Sequence, residues 1–366
     1  MRRRAIDAML PVYTEFYGNP SGAHRMARAA NHLLDDARDV ISGALGTEPG
    51  RIVFTAGGTE ADNLAVRGVV DAVGGVAVCS AIEHHAVLDP VEHLRGRVVA
   101  VGPDGRLDLD ALAEALDDSV SIVSIMLANN ETGIVQPLAE AIEVVRRLAP
   151  DAVVHTDAVQ ALSWLDVAQA AAEADLISIS AHKFGGPKGV GALVVGERAR
   201  LSPLFRGGGQ ERDRRGGTQN VPGIAAMAAA AEELLADRAS ALARVAALRD
   251  RLADGIRDTV DGVVESGVPE RDRSHKTANI SHLCFAGVES EALLFLLEER
   301  DIMASAASSC ASGAQDPSHV LAAMGLDRAT AAGSLRLSLG YDTTDADIDA
   351  ALDVIPAAVA QLRGRR

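Results

Sequence analysis

Aromatic side chains are scarce in this chain: Phe, Trp and Tyr make up 3% of 366 residues, with a single tryptophan. A core with so few large rings must be filled by aliphatic side chains, and the abundant alanine points to long Ala-rich helices. Cysteine is scarcer still, with only Cys79, Cys284 and Cys310, widely spaced and odd in number. No CxxC pair occurs, which excludes a disulfide framework or a zinc or iron–sulfur centre built from cysteine alone; a reduced, cytoplasmic compartment is expected. Positive charge is in deficit, with 35 Lys and Arg against 51 Asp and Glu, net −16. Nucleic acid and anionic membranes attract the opposite sign, so neither is expected as a direct partner. No apolar run reaches the roughly 18 residues of a membrane span. Asp7 and Glu15 break the stretch after the basic "MRRR", so no signal peptide is expected.

What is present is a chain that is 48% hydrophobic and long enough for two lobes. From residue 51 to 196, short β-rich runs alternate with helical patterns. "RIVFT", "VAVCS", "RVVAVG", "SIVSIML", "AVVHTD", "DLISIS" and "GALVVG" read as seven strands, several of them apolar almost throughout. Such runs suit a mostly parallel sheet covered on both faces, an α/β architecture. "RGGGQERDRRGGTQN" (206–220) reads as loop, and 222–258 as one or two long helices. Strands "NISHLCF" and "SLRLSLG" and helices "ESEALLFLLEER" and "DADIDAALDVIPAAVAQL" then suggest a smaller α+β lobe. The expected division is a large domain over 10–240 and a small one over 241–366, the latter joined by residues 1–9.

Ligands of open α/β sheets bind beyond the carboxyl ends of the strands, so the polar residues there carry the functional reading. Gly57, Gly58 and Thr59 follow the first strand and open a helix, suiting either an anion cradle or an ordinary capped turn. Glu83, His84 and His85 follow the second, and Asn129, Asn130 and Glu131 follow "SIVSIML". Asp157 and Gln160 follow "AVVHT", where a carboxylate serves either as a helix cap or as partner to a cationic ring. Ser180, Ala181, His182 and Lys183 end "DLISIS", and Gly185, Gly186 and Pro187 come next. A lysine in so tight a turn reads best as an amine aimed at the cleft floor. An anion cradle, an imidazole, a carboxylate and a primary amine together match one cofactor, pyridoxal 5′-phosphate.

These motifs resemble the cysteine desulfurases, the class-V aminotransferase branch of fold-type I pyridoxal enzymes. The resemblance runs from "AMLPVYTEFYGNPSGAH" to "GSLRLSLG" and is carried by "FTAGGTEADNLAV", "EHHAVLD", "ANNETG", "HTDAVQ", "SAHKFGGPKG", "GGGQERDRRGGT" and "SSCASGAQDPSHVL". It implies that Lys183 holds the cofactor as a Schiff base and shuttles the Cα proton. Asp157 would face the pyridine nitrogen, Gln160 the phenolic oxygen, and His84 the ring face. Gly58, Thr59, Ser180 and His182 would hold the phosphate, with Thr218 reaching it from a neighbouring subunit, hence a homodimer. Asn130, also counted among the cofactor contacts, would bind the substrate carboxylate with Arg336.

The resemblance also gives a role to Cys310, which sits in the small-residue stretch "ASAASSCASGAQD". Its thiol would take sulfur from L-cysteine as a persulfide, leaving L-alanine, and carry it to a protein acceptor such as a cluster scaffold or a tRNA-thiolation enzyme. His84 is the residue expected to activate it. Selenocysteine lyase, cysteine or cystine lyase, an aminotransferase, and a catalytically impaired partner protein of the same fold are the alternatives. The chain departs from the family in three places. It reads "MRRRAIDAMLP" where a segment like Y-L-D-N-A-A-T-T-P is usual, Ala307-Ser308-Ser309-Cys310 where G-S-A-C is usual, and Ala181 where a glycine is usual.

Overall fold

In a computed structural model, residues 1–306 and 318–364 are described. Cys310 lies outside them. Ten strands are described: β1 (Ile52–Thr55), β2 (Val76–Ser80), β3 (Arg97–Val99), β4 (Val120–Ser124), β5 (Val153–Asp157), β6 (Leu176–Ser180), β7 (Gly191–Val195), β8 (Val263–Glu265), β9 (Ile280–Phe285) and β10 (Ser334–Ser338). The helices that matter below are α1 (Arg3–Thr14), α2 (Arg25–Ala44), α3 (Gly58–Val73), α4 (His85–His93), α5 (Val221–Thr259), α6 (Ser290–Glu298) and α7 (Asp345–Gly364).

The chain divides into two compact units. The first comprises Met1–Val99, Leu109–Leu127 and Pro137–Arg238. Its seven strands form one sheet in the order β1-β7-β6-β5-β4-β2-β3. All pairings are parallel except those of β7, which runs against both β1 and β6. Only ten residues, 181–190, connect β6 to β7. That is too short for the crossover a parallel neighbour needs, so the strand turns back. β5, β6 and β7 are buried along their whole length, which is why their sequences are continuous apolar runs rather than alternating ones. α3 lays Ala61, Leu64, Ala65, Val66 and Val69 against Val53, Ile122, Val153 and Leu193 of the sheet. This packing fixes the helix's first turn beside the strand ends.

The second unit comprises Ala100–Asp108, Ala128–Gln136 and the chain from Ala239 onward. It holds an antiparallel sheet in the order β10-β9-β8, with α6 and α7 packed on each other. Two differences from the sequence expectation stand out. Residues 1–9 belong to the first unit, because Arg2 is hydrogen-bonded to Gly185 and ion-paired with Glu233. The third strand stops at Val99, and residues 100–108 and 128–136, expected in the large domain, join the second unit, where Leu107 and Gly105 are bonded to Gln136. Among the described residues no helix is long and apolar enough to cross a membrane.

Candidate active site

The candidate site of the first unit lies where β1, β5 and β6 end. After β1 the chain passes through Gly57, whose lack of a side chain leaves the first turn of α3 without a side-chain cap. The leading N–H groups of a helix have no intrahelical partner and carry the positive end of its dipole, so this turn suits an anion. Gly58 is buried, and a Cβ there would meet Val159 Cγ2 at 2.8 Å and Ser180 Cβ at 3.5 Å. A glycine thus keeps this approach open. The turn is braced from behind: Glu60 accepts from Ala56 N at 2.9 Å and pairs with Arg215 Nε at 2.8 Å.

Ser180 and His182 face the same space. Ser180 Oγ lies 2.9 Å from His182 Nδ1. Together with Gly57, Gly58, Thr59 and Asn63 they line a cleft of about 930 Å³. Burial, followed by the charges of Lys183 and Lys188, holds His182 below the usual imidazole range. Lys183 ends a single 3-10 turn, Ala181–Lys183, with an exposed side chain. Its carbonyl accepts from Ser163 Oγ at 3.3 Å.

Asp157 closes β5 and is 7% exposed. Its Oδ1 accepts from Val159 N at 2.8 Å. Burial pushes its carboxyl up to about 6, while that hydrogen bond and the Lys183 charge pull it back. Gln160 is half-buried in the turn that follows. His84 caps α4, its Nδ1 accepting from Ala86 N at 3.0 Å. It lines a smaller cavity of about 440 Å³ that shares Thr59 and Asn63 with the cleft. Asn63 ties the two helices by donating to the carbonyls of Thr59 (3.0 Å) and Ala86 (3.2 Å).

Three expected residues remain. Thr218 is exposed and lines a separate cavity of about 400 Å³ with Tyr13, Phe16 and Tyr17. Asn130 and Arg336 belong to the second unit, where Arg336 Nη1 donates to Asn130 O at 3.1 Å. The Asn130 turn is built by Asn129, whose buried Oδ1 accepts from Glu131 N, Thr132 N and Thr132 Oγ1. Arg336 stands opposite His282 on β9, a ring that burial holds neutral at about 3. Cys79 and Cys284 are buried, and burial pushes both thiols up, Cys284 to about 11, so neither supplies a thiolate.

Sequence reasoning missed a buried polar network behind Asp157. His155 of β5 engages Ser124 Oγ at 2.7 Å through Nδ1 and Ser178 Oγ at 2.9 Å through Nε2, and Ser178 also bonds the Asp62 carboxyl. Burial keeps His155 neutral, at about 3. Asp62 and Glu83, both buried, are held well above the usual carboxyl range, first by burial and then by other carboxylates. The available signal was an acid on the apolar face of α3 and a histidine inside an apolar strand.

The class-V aminotransferase family description matches residues 1–351. An IscS-like cysteine desulfurase of Mycobacterium tuberculosis is 42% identical, over 99% of this chain and 94% of that protein. A cysteine desulfurase of Gluconacetobacter diazotrophicus is also 42% identical, over 98% and 90%. Among solved structures, a NifS-like protein superimposes with a TM-score of 0.90 at 33% identity, covering 99% of this chain and 96% of that one. The chain belongs to the class-V aminotransferase family, whose members are pyridoxal-phosphate enzymes of fold-type I. The residues present fit that cofactor. The Gly58 cradle would be filled by a single Cβ, the buried Asp157 carboxylate calls for a cation, and the Lys183 amine is near enough for its charge to act on Asp157.

Proposed function

We propose that the protein is a cysteine desulfurase, converting L-cysteine and an enzyme thiol into L-alanine and an enzyme persulfide. The observation that carries this reading is the buried Asp157 carboxylate, within reach of the Lys183 charge, at adjacent strand ends of a class-V aminotransferase fold. When bound, pyridoxal phosphate supplies an electron sink that stabilises negative charge at the substrate Cα.

The chain's own residues do the rest. Gly58, Thr59, Ser180 and His182 anchor the phosphate, and Asp157 holds a proton on the ring nitrogen by offering it an ionised carboxylate. Gln160 donates to the phenolic oxygen, and His84 covers the ring face. Lys183 Nζ would hold the cofactor through its aldehyde and move the substrate Cα proton. Asn130 and Arg336 hold the substrate carboxylate, the guanidinium as a fork. Cys310 receives the sulfur, its S–H proton ending on the product, and delivers it to a protein acceptor. Thr218, exposed and lining a different cavity from Gly58 and Ser180, acts from the second subunit of a homodimer.

Purified protein loaded with pyridoxal phosphate is assayed for alanine from L-cysteine with a thiol reductant, beside Cys310→Ala. Matched alanine and sulfide that vanish in the variant support the reading. Activity that survives the substitution overturns the carrier role and indicates a lyase. A loaded enzyme that makes no alanine overturns the desulfurase assignment.

A further inference from the structure

Arg2 is an unusual residue to bury. It is 3% exposed. A guanidinium in such a place is costly to desolvate unless its donors are well used. They are used on the turn that carries Lys183 and on α5, and the backbone amide of Arg2 binds the same turn. Arg2 N donates to Gly185 O at 2.8 Å and Arg2 Nε donates to Phe184 O at 3.3 Å. Arg2 Nη1 donates to Glu233 Oε1 at 2.8 Å and lies 3.7 Å from Asp237 Oδ2, both on α5. The side-chain stem lies against Gly185, where φ is +90° and a Cβ would meet Arg2 Cγ at 2.6 Å. Gly185 therefore meets two demands, a left-handed backbone and room for this arginine. On its other side, the Lys183 carbonyl is held by Ser163 Oγ.

A one-turn 3-10 helix has almost no internal hydrogen bonding to fix its orientation, so its clamps decide where its last side chain starts from. We propose that Arg2 is a positioning residue for Lys183, a clamp whose guanidinium ties the Phe184 carbonyl to α5, beside its own backbone bond to Gly185, and so holds the lysine amine over the cofactor site. Lysine would be a poor substitute, because a compact ammonium lacks the planar fork that spans a carbonyl and a carboxylate together. The inference rests on the functional reading above and concerns how that site is held.

The test compares two ligands of the cofactor-free protein. Pyridoxal phosphate bonds covalently to Lys183, whereas pyridoxamine phosphate carries an amine instead of an aldehyde and uses only the phosphate and ring contacts. If the turn in Arg2→Met spends about a tenth of its time in the binding-competent orientation, apparent affinity for pyridoxal phosphate falls about tenfold. Pyridoxamine phosphate shares the His182 contact on that turn but forgoes the covalent bond, so it should lose clearly less, about threefold at most, and Arg2→Lys should recover part of the loss. Should Arg2→Met fail to fold, Glu233→Gln keeps the arginine and loosens its anchor, with a selective loss of about threefold expected. Equal loss for both ligands, or no loss for either, overturns the assignment and leaves Arg2 a structural residue. Wild-type protein that binds neither ligand overturns the functional reading itself, and this clamp with it.

Discussion

The sharpest quantitative consequence of the site concerns Asp157 in the cofactor-free protein. Its carboxyl is raised from an ordinary 3.8 to about 6 because it is buried, with only the Val159 N–H and the Lys183 charge in its favour. The folded protein thus binds this proton more tightly than the unfolded chain. As pH rises from about 4 to about 6 the unfolded state releases it first, and stability falls through that window. Two pH units at ~1.4 kcal/mol each give a loss of about 3 kcal/mol, complete above pH 7. Asp157→Asn removes the charge yet keeps an oxygen for Val159 N. It should be more stable than wild type by up to about 3 kcal/mol at pH 7.5 and nearly equal to it at pH 4. Urea unfolding of both cofactor-free proteins across pH 4–8 measures the gap. With pyridoxal phosphate bound, a ring-nitrogen proton offsets the charge and the gap should narrow or reverse. A variant less stable than wild type at pH 7.5, or a gap that does not change with pH, would refute the reasoning.

Other perturbations test other parts of the structure. Gly58→Ala places a Cβ 2.8 Å from Val159 Cγ2 at a backbone that tolerates alanine. It should lower affinity for pyridoxal phosphate at least tenfold, with a folding cost of about 1–3 kcal/mol, read by ligand titration and thermal melting. Arg38→Met breaks a buried pair with Glu211 at 2.5 Å and abandons the Ile52 carbonyl, leaving a carboxylate that also accepts from Phe54 N. A loss of about 3–5 kcal/mol is expected in urea unfolding. In the second unit Glu265 is fully buried among Arg273 (2.6 Å), Lys276 (3.3 Å) and Arg257 (3.3 Å). Burial pushes its carboxyl up, but those partners win and hold it below the ordinary 4.5. Its contribution is therefore present above about pH 4.5 and lost as pH falls below that. Glu265→Gln should destabilise the protein at pH 7 by about 3–5 kcal/mol, and by less in acid.

The sheet and the cleft residues were legible because strands buried on both faces advertise themselves as apolar runs, and the polar residue that ends such a run is conspicuous. Asp157 after "AVVHT" and Lys183 after "DLISIS" were found in this way. The reversal of β7 was not read, although the short 181–190 connection already implied it. Asp62 and His155 escaped because each is one polar residue in an otherwise ordinary helix or strand, and their partnership spans 93 positions. Arg38 and Glu211 are 173 positions apart, the second of them in a segment that read as loop. Arg2 looked like one of three basic residues at an unpatterned start. Its clamp depends on a carbonyl pair 182 and 183 positions away. What escaped was long-range pairing of polar groups, which leaves no periodic trace.

The charges behind the cleft explain why Asp157, and not its neighbours, is suited to face a cation. Asp62, Glu83 and Asp157 are three buried carboxyls near enough to influence one another, and the histidine among them is neutral. So many ionised acids cannot share a low-dielectric site. Against burial, Glu83 accepts from Met126 N at 2.7 Å, and Asp62 is bonded by the Ser178 hydroxyl. Asp157 alone combines a backbone N–H with the charge of Lys183. It is therefore the group that ionises, and once it does, its charge raises the other two further. The network concentrates one negative charge at the end of β5. In the cofactor-free protein that charge destabilises the fold, and with a protonated ring nitrogen opposite, the same charge becomes a binding contact. On the function proposed above, stability given up at Asp157 is thus the physical basis of affinity for a cationic ring.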